Sequence, residues 1–307
     1  MIFDRTNLKF LEGIEMEAIS ADGTRLAYNE FGLGREAPLL VFSHGWSCQS
    51  EFWRPQIDKF AATHRVVVYD QRGHGGSDRG SRPFSARALG DDLEAILRCV
   101  VNPVRKAVVI GHSMGGMSIM AWAAGYPESV NELSRGVLLA STGAAQLVSK
   151  STLLSPSRRE TGGFAERVLA KGLGLGGPEV KASLLARALI KYATMGPRAS
   201  ISAVEQCTEV LLQCPPVTRG LWGNVLATID VRSGIDQLTV PVSVIVGTSD
   251  RLTPQVHSTE IADRLRGQDY LSEIVVLPLV GHMSNVEAPQ EFNMCVTRLD
   301  TATGCCA

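Results

Sequence analysis

Six short apolar runs punctuate the chain: Leu39–Ser43, Val66–Tyr69, Ala107–Ile110, Val137–Ala140, Val242–Val246 and Glu273–Leu277. Most of them are continuously apolar rather than alternating, and they are rich in Val, Ile and Leu. That pattern predicts strands buried on both faces. Between two of the runs, Leu89, Leu93, Ile96, Leu97 and Val100 recur at the spacing of one helix face, with Ser85 upstream as a candidate N-cap. Strands alternating with helices predict an α/β fold with a mostly parallel central sheet flanked by helices. The stretch 13–31, which contains Arg25-Leu26-Ala27-Tyr28-Asn29, predicts an antiparallel hairpin ahead of that sheet.

The alternation stops between residues 143 and 235. Leu, Ala and Gly dominate there, as in Leu184-Leu185-Ala186-Arg187-Ala188-Leu189-Ile190, and no strand-like run recurs. A helical cap insertion is expected over 143–235, bounded by Thr142-Gly143 and Ser233-Gly234. The core domain is then built from 1–142 and 236–307. The insertion carries eleven Lys/Arg against six Asp/Glu, which leaves the core net acidic. A basic cap over an acidic base could draw anionic substrates; solvated helix faces give the same imbalance. Gly172-Leu173-Gly174-Leu175-Gly176-Gly177 is too glycine-rich for a helix interior and is expected to form a turn. It is no phosphate loop, because no Lys-Ser/Thr pair closes it.

Composition narrows the function classes. The chain has 307 residues, a net charge of −1, 45% apolar and 20% charged residues. These values exclude a disordered chain and a generally basic nucleic-acid binder. No eighteen-residue apolar window occurs, so no integral membrane span is expected. Met1-Ile2-Phe3-Asp4-Arg5 lacks the basic-then-apolar order of a secretory signal. Seven cysteines, an odd number without framework spacing, fit reduced thiols in a cytoplasmic protein. Cys207 and Cys214 lack zinc-ligand spacing, and Cys305-Cys306 makes no prenylation signal.

The chemistry concentrates at Gly111-His112-Ser113-Met114-Gly115-Gly116. A bare Gly-x-Ser-x-Gly string says little. Here it follows the predicted strand 107–110 and precedes an apolar helical stretch, Met117 to Tyr126. In that context Ser113 sits on a tight turn at the C-terminal edge of the sheet, and the glycines leave room for the neighbouring strand and helix. The helix start beside it supplies free N–H groups and the positive end of a dipole.

A serine hydroxyl is a poor nucleophile near neutral pH and needs a base. Among six histidines, His282 follows the last predicted strand, at the same sheet edge as Ser113. His44 and His112 fall in glycine turns and are expected to orient loops or pack. His74 is expected to shape the turn Arg72-Gly73-His74-Gly75-Gly76-Ser77. His64 is expected at the surface, and His257, on a helix predicted from Pro254 to Leu265, is expected to be exposed. The base in turn needs an acid that fixes its tautomer. Asp250, just past the strand 242–246, fills that role or caps the turn before Pro254. Asp70 reads as a turn-stabilising carboxylate, and Asp236 lies at the wrong edge. Two N–H donors complete the set: Met114, directly after the nucleophile, and Trp46, in the loop His44-Gly45-Trp46-Ser47. Trp46 and Met114 are also the candidate substrate contacts, the Trp46 indole either lining an acyl pocket or packing in the core.

Together these residues resemble the α/β-hydrolase superfamily. The chain order Ser113, Asp250, His282 is similar to that family's, as are the His44-Gly45-Trp46 loop, the turn Asp70-Gln71-Arg72-Gly73-His74-Gly75-Gly76-Ser77, and Gly281-His282 followed by Glu287-Ala288-Pro289. The tryptophan after His44-Gly45 and the run Ser113-Met114-Gly115-Gly116 look like small serine carboxylesterases and non-haem perhydrolases. Ser113 stands where epoxide hydrolases and haloalkane dehalogenases of this fold carry aspartate. The resemblance implies a serine hydrolase that cleaves small-molecule esters through an acyl-enzyme, with no metal or organic cofactor. The same triad could support perhydrolysis, lactone opening, C–C bond hydrolysis or acyl transfer. A non-catalytic ligand-binding protein of the same fold is the alternative from another class.

Overall fold

Alternate side chains of a strand point to opposite faces of its sheet, so a strand covered on both sides must be apolar at every position. That requirement is met along the centre of the sheet. Leu40, Phe42, Val66, Val68, Val108, Ile110, Leu138 and Ile245 pack into one core, while Val41, Val67, Val109, Val137, Leu139 and Val244 pack into another on the opposite face. The structure is a computed structural model that describes residues 13–102, 105–153 and 183–304. The glycine run 172–177 and the pair Cys305-Cys306 lie outside the described residues.

Eight strands form one sheet: β1 (Ile14–Ile19), β2 (Arg25–Gly32), β3 (Leu39–Ser43), β4 (Arg65–Tyr69), β5 (Ala107–His112), β6 (Ser134–Ala140), β7 (Val242–Gly247) and β8 (Leu271–Leu277). Their order is β1-β2-β4-β3-β5-β6-β7-β8. β1 pairs antiparallel with β2, the predicted hairpin, and β2 pairs antiparallel with β4; every later pairing is parallel. The mostly parallel sheet with flanking helices is the α/β fold that the residue pattern predicts and agrees with the architecture that the resemblance implies.

Three details differ from the pattern. β8 is an edge strand, not one buried on both faces: Ser272 and Val276 are exposed and Glu273 is half-buried. β5 runs on to His112, and its helix starts at Met114 rather than Met117. His257, expected to be exposed, is only 1% exposed. On the helix Gln255–Arg266 it shares an inward stripe with Ile261 and Leu265, at i, i+4 and i+8.

Parallel strands present their C-terminal ends at one edge, and the loops after β3, β5, β7 and β8 meet there. The helix Met114–Gly125 runs back from that edge, apolar all round because it is sandwiched between the sheet and the helix Ala86–Val100. Ser85 caps the latter, its side chain accepting the Ala88 N–H at 3.1 Å, a contact of ~1 kcal/mol. Between β6 and β7 the described elements are helical: Leu147–Lys150, Leu184–Thr194, Ile201–Gln213, Pro216–Thr228 and Arg232–Ile235. The two ends of this stretch are tied by a bridge between Ala145 and Asp230 and by Val231 N–H donating to Ala144 O at 2.8 Å. No described helix is long and apolar enough to cross a membrane.

Candidate active site

Ser113 occupies the left-handed region at φ 54°, a conformation a serine adopts only when its surroundings impose it. The imposition is visible. Its N–H donates to Ala140 O at 2.9 Å, and its carbonyl accepts from Thr142 Oγ1 at 2.7 Å and from Gly116 N–H at 2.9 Å. Both glycines of the motif are needed for contact: a methyl at Gly111 would stand 2.5 Å from Gly115 O, and one at Gly115 would overlap Ser43 O. Strain of this kind costs about 1–3 kcal/mol and is borne where it aims a side chain. Here the serine side chain faces a cavity.

His282 and Asp250 meet at the same cavity edge. His282 Nδ1 lies 2.9 Å from Asp250 Oδ2. Thr253 Oγ1 donates to that same oxygen at 2.9 Å, and Asp250 Oδ1 accepts the N–H groups of Leu252 and Thr253 at 3.0 and 2.9 Å. Asp250 therefore bonds both the turn that follows it and the His282 ring. Its carboxylate is fully buried and the His282 ring nearly so. An acid with both oxygens occupied by donors cannot swing away, which keeps the proton on Nδ1 and turns Nε2 into an acceptor.

The oxyanion-loop candidates have different surroundings. Met114 is the first residue of its helix, where the N–H has no intrahelical acceptor. Its side chain is fully buried in the core, so any contact with a ligand is confined to that N–H. The loop carrying Trp46 is pinned on both sides. Gln71 N–H donates to His44 Nε2 at 2.9 Å, so His44 Nδ1–H donates to Gly45 O at 2.8 Å. Gln71 Nε2 donates to His44 O, and Ser118 Oγ donates to Gln71 Oε1 at 2.9 Å. Ser47 N–H donates to His74 Nε2 at 3.2 Å. Trp46 both lines the cavity and is anchored: its Nε1–H donates to Arg219 O at 3.0 Å.

Burial without a charged partner keeps the surrounding histidines neutral. It pushes His44 down to about 4, His74 down to about 3, and His112 well below its ordinary value. His112 Nε2 bonds His282 O at 2.8 Å, a supporting contact to the loop of the candidate base. His64 is half-buried rather than at the surface, 3.3 Å from Asp300. Asp70 accepts from Ser50 N–H, Ser50 Oγ and Gly76 N–H, a turn-stabilising carboxylate. Asp236 pairs with Arg264 away from the cavity.

The cavity has a volume of about 450 Å³ and is lined by both Ser113 and His282. Its far wall comes from the helical stretch between β6 and β7, with Leu147, Ala186, Ile190, Leu211 and Leu226. Sequence reasoning gave no role to Thr253 and placed Glu287 only within the closing segment Glu287-Ala288-Pro289; the contacts of Thr253 Oγ1 with His282 Nδ1 at 3.2 Å and of Glu287 with Gly196 N–H at 2.7 Å form only on folding.

The model of the alpha/beta hydrolase family matches residues 40–294. The chain is 29% identical over 285 residues to 3-oxoadipate enol-lactonase 2 of Acinetobacter baylyi, covering 91% of this chain and 94% of that one. A hydrolase from Pseudomonas aeruginosa PA01 superposes with a TM-score of 0.70 at 26% identity, over 94% of this chain and 98% of its own. A thermophilic esterase from Thermogutta terrifontis shares the fold with a TM-score of 0.71 at 22% identity, over 95% and 99%.

Proposed function

The chain belongs to the alpha/beta hydrolase family, and we propose that it is a serine hydrolase that cleaves carboxylic esters of small to medium apolar groups. Ser113 is the nucleophile, His282 the general base and Asp250 the residue that orients it. His282 Nε2 takes the hydroxyl proton as Ser113 Oγ attacks the ester carbonyl. Asp250 stabilises the imidazolium formed. The negative charge on the carbonyl oxygen rests on the backbone N–H groups of Trp46 and Met114, each contributing about 2.7–4 kcal/mol. The alcohol leaves with the proton from His282, and water cleaves the acyl-enzyme by the same route.

The observation that carries this reading is the His282–Asp250 hydrogen bond beside a cavity that Ser113 also lines. The stretch 143–235 acts as a cap that supplies most of the apolar wall, which favours an aliphatic acyl or alkyl group over a charged one. The test is hydrolysis of 4-nitrophenyl butyrate by the purified protein and by Ser113→Ala. Turnover by the wild type and its loss in the variant support the reading; normal turnover by Ser113→Ala refutes it.

Lactone opening is a second reading, favoured by the relative of Acinetobacter baylyi that is named as an enol-lactonase. The same acyl-enzyme forms, but the leaving alcohol stays tethered to the acyl group. Comparing an aliphatic lactone with a linear ester of equal carbon number separates the two.

A further inference from the structure

Glu287 is a half-buried acid that takes no part in the chemistry described so far. Glu287 ends the short helix Ser284–Glu287, and its carboxylate points back at the backbone of the His282 loop. Oε1 accepts the N–H groups of Gly281 at 3.1 Å and Met283 at 3.2 Å. Oε2 accepts from Gly281 at 3.1 Å and from Gly196, in the stretch between β6 and β7, at 2.7 Å. The residues on either side of His282 are thus held by one carboxylate, which also holds the cap.

The cap and this loop are in direct backbone contact. His282 N–H donates to Thr194 O at 2.8 Å. A methyl on Gly281 would overlap Gly196 and Met195, and a methyl on Gly196 would overlap Leu279 O. Thr194 and Met283 both line the cavity. The same bracket therefore fixes the base and a piece of the cavity wall.

We propose that Glu287 is a positioning residue for His282, acting through the backbone: its carboxylate locks the His282 loop to the cap at Gly196. This rests on the reading of His282 as the general base. Only an acceptor-only group suits three N–H donors; a glutamine would turn an NH₂ toward one of them. Loss of the lock leaves backbone N–H groups unpaired and lets the ring drift from Ser113. A misplacement of about 1 Å costs up to roughly 100-fold in rate.

The experiment compares the full-length wild type with Glu287→Gln and Glu287→Asp. Hydrogen exchange is followed by mass spectrometry, with kcat and KM measured on 4-nitrophenyl butyrate. In Glu287→Gln the amides of 194–198 and 279–284 should exchange at least about tenfold faster while the core strands stay protected. Its kcat should fall roughly 10- to 100-fold with KM within about threefold, and Glu287→Asp should recover part of kcat. Should Glu287→Gln fail to fold, Glu287→Asp is judged by the same local exchange and kcat loss, at smaller size. Unchanged exchange in both segments overturns the lock, and an unchanged kcat beside faster exchange overturns the positioning role. Failure of a fluorophosphonate to label wild-type Ser113 would refute the serine-hydrolase reading instead, and the exchange data would still decide the bracket.

Discussion

Gly115 passes so close beneath Ser43 that a methyl on its Cα would overlap the Ser43 carbonyl oxygen. The obstacle is backbone in β3, which cannot rotate aside as a side chain would. Gly115→Ala should therefore push the start of the helix Met114–Gly125 away from the sheet and displace Ser113. Overpacking of this kind costs about 1–3 kcal/mol. Urea unfolding should give a stability loss at or above the top of that range, with ester turnover falling further than stability. A variant as stable and active as the wild type would show that the turn does not depend on this contact.

Asp250→Asn keeps an oxygen for the Leu252 and Thr253 amides but offers no charge to an imidazolium. Its NH₂ also faces the ring, favouring the wrong tautomer. The expected loss is about 10⁴-fold in kcat. Thr253→Val removes only the hydroxyl bonded to Asp250 Oδ2, and one neutral hydrogen bond of about 1 kcal/mol predicts roughly fivefold. Steady-state kinetics on one ester checks both, and equal effects of the two variants would contradict the roles assigned.

Stability should fall in mild acid because of His44 and His74. Burial lowers both, to about 4 and about 3, from an ordinary value of 6.5. A histidine with a depressed folded pKa binds more protons unfolded than folded. Each therefore leaves full stability above about 6.5 and removes ~1.4 kcal/mol per pH unit as pH falls below it. Protonation would also end the acceptor roles of His44 Nε2 toward Gln71 N–H and of His74 Nε2 toward Ser47 N–H. Urea unfolding at several pH values should show this slope, reduced in His74→Gln. A flat profile between about pH 7 and 5 would contradict it.

What the sequence made legible and what it hid follow from the range of each interaction. Runs such as Val66–Tyr69 and the i, i+4 stripe of Leu89, Leu93 and Leu97 are local patterns, so the sheet and the helix Ala86–Val100 could be read directly. Ser113 was legible because turn, strand and helix are contiguous. His257 is buried rather than exposed because it shares one helix face with Ile261 and Leu265, a stripe its spacing already carries. β8 looked interior because a run's apolarity does not reveal which strand ends the sheet. The Thr253–His282, Glu287–Gly196 and Trp46–Arg219 contacts join residues through folding rather than spacing, so no local pattern could expose them.

Ala186 tests whether the cavity holds the apolar part of the substrate. It is 5% exposed on the helix Leu184–Thr194 and lines the cavity wall opposite the sheet. Ala186→Phe keeps a helix-compatible residue there and fills open space with a ring. Short acyl groups near Ser113 should be indifferent to it, whereas longer ones should meet the ring. The ratio of kcat/KM for 4-nitrophenyl octanoate over acetate should then fall roughly tenfold or more, the usual scale for steric misfit in an apolar pocket. Equal losses on both esters would point to damaged folding. An unchanged ratio would mean that the chain lies elsewhere, and the apolar wall built by Leu147, Ile190 and Leu226 would need another occupant.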